Sequence, residues 1–217
     1  MTDGPVQSLA SPAGSAVTIR RGPATGQMIE AAALFYETFG AKLTLWPALP
    51  RDRARAVALI AGCVHPACVY TAVDGGGAVV SVAFAGPSLL RPRAAALRAA
   101  YGSFGAAWRL VVLRVLSAAP QERRVVHLDG FTVAAPLRGA GVGSAMLERI
   151  VCDARLGGAR AVVLVVGAIS PAVRLYHAFG FRDVGTLRAG PFRHRIGYSC
   201  LTKMRLDLNQ HQTGGTS

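Results

Sequence analysis

Acidic residues and long apolar runs are what this sequence has least of. Its 11 Asp and Glu stand against 24 Lys and Arg, which gives a formal net charge of +13 over 217 residues. The most apolar stretches, 108–116 and 161–169, are interrupted by arginine or fall short of the roughly 20 residues that a membrane-spanning helix needs. We therefore expect no membrane association. The shortage of carboxylates also disfavours a pocket for polyamines or aminoglycosides, because carboxylates would line such a pocket.

Cysteine is scarce as well. The four cysteines lie at positions 63, 68, 152 and 200, without a CxxC pair or a neighbouring histidine pair that would complete a zinc site. We expect reduced core thiols in a cytoplasmic protein, and no metal. A signal peptide is not expected, because the first 16 residues contain no basic region followed by an apolar run. We interpret residues 1–16 as a disordered N-terminal tail.

The basic charge raises nucleic acid as a partner. The arginines, however, are spread along the chain, and no helix-turn-helix, zinc-finger or RNA-recognition pattern accompanies them. A coding bias toward Ala, Gly and Arg, or the attraction of an anionic cofactor or substrate, accounts for the charge better than nucleic-acid binding does. The apolar fraction of 52% is ample for one folded domain of this length.

Apolar periodicity and glycine punctuation predict an α/β domain over residues 17–207, followed by a flexible tail at 208–217. The first half reads as a strand, two helices, a hairpin and a helical insertion, at 17–20, 26–39, 51–63, 68–85 and 88–122. Gly40 is expected to end the first helix, and the insertion is basic and amphipathic. The second half alternates strands and helices, at 125–133, 141–156, 161–166, 171–179, 182–187 and 196–206.

Three alternating glycines, Gly139, Gly141 and Gly143, join the strand at 125–133 to the following helix. Glycine permits positive φ, and free amides at a helix start form an anion site, so the loop suits a pyrophosphate. A dinucleotide fold would need glycine where Ser144 stands and an acid about 20 residues on, and a P-loop would need a lysine. Neither requirement is met. The alternative is a tight strand–helix turn without a ligand.

Two motifs around this loop resemble those of the GNAT (GCN5-related) N-acetyltransferase superfamily. Residues 136–147, PLRGAGVGSAML, resemble the family's acetyl-CoA signature, Arg/Gln-x-x-Gly-x-Gly/Ala. Residues 170–181, SPAVRLYHAFGF, resemble the family's Asn-x-x-Ala-x-x-Leu-Tyr-x-x-x-Gly-Phe, with Ser170 in place of Asn. The likeness is sharp over 125–184, and the order of the two motifs makes it more specific than either motif alone.

The resemblance implies a single-domain GNAT-like fold, a mixed, mostly antiparallel twisted sheet flanked by helices and split near the acetyl-CoA site. It implies that the backbone of Phe131 and Val133 hydrogen-bonds the pantetheine arm and the acetyl carbonyl, and that Ser170 lies beside the cofactor. The residues that would hold the pyrophosphate are Arg138, Gly139, Ala140, Gly141, Val142, Gly143 and Ser144.

The resemblance also implies acetyl transfer to an amine, with Tyr176 as the general acid that faces the CoA sulfur. The alternative for Tyr176 is simple packing between helix and sheet. For the base, Asp129 leads, with His127, Glu37 or a water chain as alternatives; Asp129 could equally serve only as a hydrogen-bonding group at a β-bulge.

We expect direct transfer of the acetyl group to a primary amine of a small molecule or a peptide N-terminus, without a covalent enzyme intermediate. The alternatives are a non-catalytic CoA-binding or regulatory protein and, ranked lower, a basic nucleic-acid-binding module. A homodimer is compatible with the sequence, which does not fix the oligomeric state.

Overall fold

The computed structural model describes residues 7–10, 16–24, 26–43, 49–86, 94–116, 122–188 and 200–208. The strands are β1 (Gln7–Ala10), β2 (Ala16–Arg21), β3 (Val69–Val73), β4 (Val79–Gly86), β5 (Val125–Val133), β6 (Ala161–Gly167), β7 (Arg182–Arg188) and β8 (Cys200–Asp207). The helices are α1 (Gln27–Leu43), α2 (Arg53–Cys63), α3 (Ala94–Leu116), α4 (Val142–Leu156) and α5 (Ala172–Ala178).

The eight strands form one sheet in the order β1-β2-β3-β4-β5-β6-β8-β7. The neighbours β5 and β6 run parallel and are joined through α4, whereas the other neighbouring pairs of this sheet are antiparallel. The predicted mixed, mostly antiparallel α/β fold is therefore confirmed. The parallel pair lies near the middle of the sheet, where the chain crosses over from one half of the fold to the other.

Helices cover both faces of the sheet, because alternate residues of its strands point to opposite sides. Met146, Leu147 and Ile150 of α4 are buried against one face. On the other face, α1 and α2 pack on β3 and β4, where Val82 and Phe84 are buried. Helix α3 packs in turn on α2.

A buried polar cluster fixes α4 to β3. The Tyr70 hydroxyl donates to an Asp153 oxygen at 3.0 Å, and Arg149 Nε donates to the other oxygen at 2.9 Å. Burial first, and then the Asp153 charge, raise the pKa of Tyr70 above its usual range. Because the phenol stays protonated, this contact holds the helix against the sheet throughout the ordinary pH range.

Three of the sequence expectations need correction. Gly40 does not end the first helix: α1 continues to Leu43, and Gly40 lies against the Tyr36 ring, within 3 Å of where a Cβ would sit. The tail expected to be disordered contains β1, which pairs with β2, and Leu208 is buried rather than part of a flexible end. The remainder of both expected tails, 1–6, 11–15 and 209–217, lies outside the described residues.

The predicted insertion is helical where it is described, at 94–116. Gly102 interrupts it with φ 70° and ψ 174°, so α3 is two helical segments joined at a kink. Residues 88–93 and 117–121 of the insertion lie outside the described part of the chain, as do 196–199 of the last predicted strand.

Candidate active site

The strands β5 and β6 separate part-way along their length. Their paired residues run from Val125–Ala161 to Leu128–Leu164, and β5 continues for five residues beyond the last pair. Ala134 donates its N–H to the Val80 carbonyl on the β4 side. Since successive amides of a strand point to opposite edges, the amide of Val133 faces the gap on the β6 side. The split predicted from the sequence is therefore present, and a cleft opens in the middle of the sheet.

A β-bulge in β5 shapes the cleft. Val82 pairs with Thr132 and Phe84 with Asp129, so β5 has one more residue than β4 between these two pairs. The backbone of Gly130 has φ 65°, and a Cβ placed there would overlap the Phe35 ring. Only glycine fits a position that combines positive φ with such a close neighbour. The sequence analysis did not single out Gly130, although a glycine inside a strand is the usual signal of a bulge.

The glycine loop presents open backbone at the start of α4. Gly139 and Gly141 both have φ 82°, and no atom would lie within 4 Å of a Cβ at either position. The first bond of the helix runs from the Ala145 N–H to the Gly141 carbonyl at 3.1 Å. The amides of residues 142–144 precede that bond and have no partner of their own within the helix. The loop thus has the amides and the space that an anion such as a pyrophosphate requires.

The glycine loop, β5 and α5, which contains part of the second motif, meet at Gly143. A Cβ at this position would lie 3.6 Å from Leu175 of α5, and 3.8 Å from both Phe131 and Val133 of β5. The structure therefore brings together three segments that the sequence analysis had assigned to one site. The side chains of β5 and α5 therefore pack together against the glycine loop at Gly143.

Tyr176 is 5% exposed and packs edge-on against Phe181, with the ring centroids 5.6 Å apart. Burial raises the pKa of Tyr176 to about 12, so the hydroxyl is a proton donor and not a phenolate at neutral pH. The residue belongs to the same core cluster against which Phe131 and Leu175 pack. Both the packing role and the acid role considered for Tyr176 are compatible with this position.

Asp129 is the first residue of β5 beyond its last pair with β6. Although its side chain is accessible to solvent, partial desolvation by the surrounding protein raises its pKa, and the neighbouring His127 opposes that shift. His127 is more enclosed, and its Nε2 is buried without a hydrogen-bond partner among the described residues. Glu37 lies on the exposed side of α1 and is paired with Arg53 at 2.9 Å. Of the three candidates for the base, Asp129 is the one at the opening of the strands.

Arg138 and Ser170 complete the expected site. Arg138 Nε donates to the Val133 carbonyl at 3.1 Å, so this exposed side chain folds back toward the end of β5. That bond uses one lone pair of the carbonyl and leaves the Val133 amide available. Ser170 lies just before α5, where its hydroxyl accepts a long bond of 3.4 Å from the Ala172 amide.

Residues 82–181 match the model of the Acetyltransferase (GNAT) family. The chain contains a GNAT acetyltransferase domain. The match begins in β4 and ends just after α5, so the GNAT domain includes the split strands, the glycine loop and Tyr176. No curated protein sequence matches the chain.

Solved structures share the fold of the GNAT domain at low sequence identity. A GCN5-related N-acetyltransferase from Kribbella flavida is 22% identical with a TM-score of 0.56, over 88% of this chain and 98% of that one. A phosphinothricin acetyltransferase from Sinorhizobium meliloti, solved in complex with AcCoA, is 20% identical with a TM-score of 0.56, over 93% of both chains. The ribosomal-protein-S18-alanine N-acetyltransferase from Escherichia coli is 14% identical with a TM-score of 0.54, over 93% of this chain and 99% of that one.

The described residues contain neither a metal-binding cluster nor a membrane-spanning helix. No cluster of three or more His, Cys, Asp or Glu there is arranged to hold a metal ion. None of the described helices is long and apolar enough to cross a membrane.

Proposed function

We propose that this chain transfers an acetyl group from acetyl-CoA directly to a primary amine. The observation that carries the proposal is the meeting of β5, the glycine loop and α5 at Gly143. In this arrangement, the loop amides that have no partner within α4 lie close to the gap between β5 and β6. The Val133 amide faces that gap. An anionic group joined to an extended arm, as in acetyl-CoA, fits both features at once.

Each part of the site has a defined task in this proposal. The amides of residues 142–144 and the guanidinium of Arg138 hold the pyrophosphate, while the backbone of Phe131 and Val133 binds the pantetheine arm across the gap. Acetyl-CoA supplies the thioester. The amine nitrogen bonds to the carbonyl carbon as the carbon–sulfur bond breaks. Tyr176 gives its proton to the departing sulfur, and Asp129, directly or through water, takes a proton from the amine.

The acceptor is a primary amine of a small molecule or a peptide N-terminus. A polycationic acceptor would need several free carboxylates, whereas Glu37 is paired with Arg53 and only Asp129 lies on the separated part of β5. A neutral or anionic acceptor suits a chain of net charge +13 better.

Calorimetric titration of acetyl-CoA tests the binding site, with a matched pair of glycine variants. Gly141→Asp places a carboxylate in the loop, and Gly158→Asp makes the same change at another open, positive-φ glycine, at the far end of α4. Both changes cost similar backbone strain, because both glycines are left-handed. We expect micromolar binding that Gly141→Asp abolishes and Gly158→Asp retains.

A thiol-release assay with a panel of amines then tests the chemistry. Release of CoA that depends on the added amine supports the transferase. Binding without release for any amine class would favour the non-catalytic CoA-binding protein, and an absence of binding to folded protein would overturn the proposal as a whole.

A further inference from the structure

A second concave site lies at the opposite end of α4 from the glycine loop. It is a pocket of about 380 Å³ lined by Arg124, Arg155, Gly158, Ala159, Arg160 and Leu208, which we call the arginine pocket. The 15 residues of α4 separate it from the loop by on the order of 20 Å. The arginine pocket is thus distinct from the cleft between β5 and β6, and the proposed acetyl transfer leaves it without a role.

The arginines of the arginine pocket form no ion pair within the described part of the chain. Its three arginines are exposed, and none of them has a carboxylate partner among the described residues. The carboxylates that lie nearby along the chain are already engaged: Glu122 and Asp207 both bind Arg205 at 2.7 Å, and Asp153 binds Arg149. Three arginines therefore line one concavity, and none of them forms an ion pair with a described carboxylate.

The backbone beneath these side chains is held in place across three strands. The Arg160 N–H donates to the Arg124 carbonyl at 2.7 Å, and the Leu208 N–H donates to the Arg160 carbonyl at 2.8 Å. Arg124 has φ 62° and is the one non-glycine residue with positive φ in the described part of the chain. Such a conformation costs on the order of 1–2 kcal/mol for an L-residue, and its retention at an arginine is typical of functional positions.

We propose that the arginine pocket binds a small, multiply charged phosphate compound. One guanidinium group can bind two phosphate oxygens at once. A site with several guanidinium groups favours a ligand that carries more than one negative charge. The remaining lining is glycine, alanine and leucine, and none of the described residues places an aromatic side chain there on which a nucleobase could stack. The volume is that of a small-molecule site. The chemistry therefore selects a condensed phosphate or a phosphate ester in preference to a nucleic acid.

Calorimetric titration of inorganic pyrophosphate at constant ionic strength tests this proposal. The protein used is Gly141→Asp, in which the glycine loop is blocked, so that binding there does not contribute. We expect binding that persists in this protein and weakens by about tenfold or more for each pocket arginine removed, as in Arg124→Gln/Arg160→Gln. The control is Arg20→Gln/Arg55→Gln, which removes the same charge from two exposed arginines on β2 and α2.

Each outcome of this experiment has one meaning. Loss of pyrophosphate binding in the pocket variants alone supports the arginine pocket. An equal loss of binding in the pocket and control variants would show that pyrophosphate is attracted by the overall positive charge, and would overturn the proposal. No pyrophosphate binding, or tighter binding of single-stranded RNA that depends on the same arginines, would also overturn it. If the double variant melts early, Arg155→Gln and Gly158→Asp provide the same test. Acetyl-CoA binding should be unchanged when the pocket substitutions are made in the parent protein, whose glycine loop is open, so this proposal and the proposed function can fail separately.

Discussion

Desolvation acts on Tyr176 and Asp129 in the same direction but with different chemical consequences. It raises both pKa values. For Tyr176 this retains the proton that a general acid must deliver, and for Asp129 it strengthens the carboxylate as a base. A tyrosine that served only as packing would not need its hydroxyl, and this difference separates the two roles by experiment.

Tyr176→Phe removes the hydroxyl and keeps the ring that packs on Phe181. We expect kcat to fall by about 10²–10⁴-fold, the usual contribution of a general acid. The KM for acetyl-CoA should stay the same, since the loop and the strand gap are unchanged. Steady-state kinetics with one amine acceptor measure kcat and the KM for acetyl-CoA separately. A change in KM alone, with kcat retained, would return Tyr176 to a packing role.

The variant Asp129→Asn tests the raised pKa of Asp129 through protein stability as well as activity. Because the native pKa is raised, ionised Asp129 lowers the free energy of unfolding at pH 7, and this cost disappears as pH falls toward the unfolded value of about 3.9. The variant should therefore be more stable than the parent at pH 7, by less than about 1 kcal/mol because the side chain is exposed. Its advantage should shrink toward pH 4, and kcat/KM should fall. Urea unfolding at both pH values measures the effect, and a less stable variant at pH 7 contradicts it.

At the scale of elements, the bulge in β5 and the beginning of α4 together define the cleft. Gly130 turns the strand at the bulge, and Gly139 and Gly141 turn the loop, all with positive φ. The two groups differ in their surroundings, because Phe35 lies against Gly130 whereas Gly139 faces open space. Backbone strain and steric overlap can therefore be separated by the same substitution at two positions.

Gly130→Ala should destabilise the fold by roughly 2–5 kcal/mol, the sum of left-handed strain and overpacking against Phe35. Gly139→Ala should cost only the strain, about 1–2 kcal/mol. Thermal unfolding followed by circular dichroism compares the two. Equal losses would mean that the Phe35 ring moves aside freely and that only the left-handed backbone favours glycine at the bulge.

How much of the fold and of the candidate site could be predicted from the sequence differs from element to element. The hairpin and the β5–α4–β6 unit have strong local signals, glycine turns between apolar strands and a capped amphipathic helix, and both were predicted correctly. Strand β1 has the sequence QSLA, which carries no strand signal of its own, and its pairing with β2 decides its conformation. Gly40 resembles a helix end, yet α1 continues through it. The arginine pocket was not predictable, because its arginines are up to 36 positions apart and only the sheet topology brings them together.

For the whole molecule, acetyl-CoA should act as a stabilising ligand. A ligand at about 100 times its Kd adds about 2.7 kcal/mol to the free energy of unfolding. In a chain of this size that corresponds to an increase of about 5–10 °C in Tm. Differential scanning fluorimetry measures the shift, which Gly158→Asp should retain and Gly141→Asp should lose. A similar shift in both variants would mean that acetyl-CoA binds outside the glycine loop.

The gap between β5 and β6 also reverses the usual distribution of protection in a sheet. Central strands normally exchange their amide hydrogens most slowly, since both edges are hydrogen-bonded, and the outer strands open first. Here the second half of β5 lies near the centre of the sheet, but on one side it has no partner strand among the residues that the structure describes. In hydrogen-exchange experiments without ligand, the amide of Val133 should therefore exchange faster than those of β3 or β4. In this sheet, water gains access to the backbone first near the middle and not at the rim.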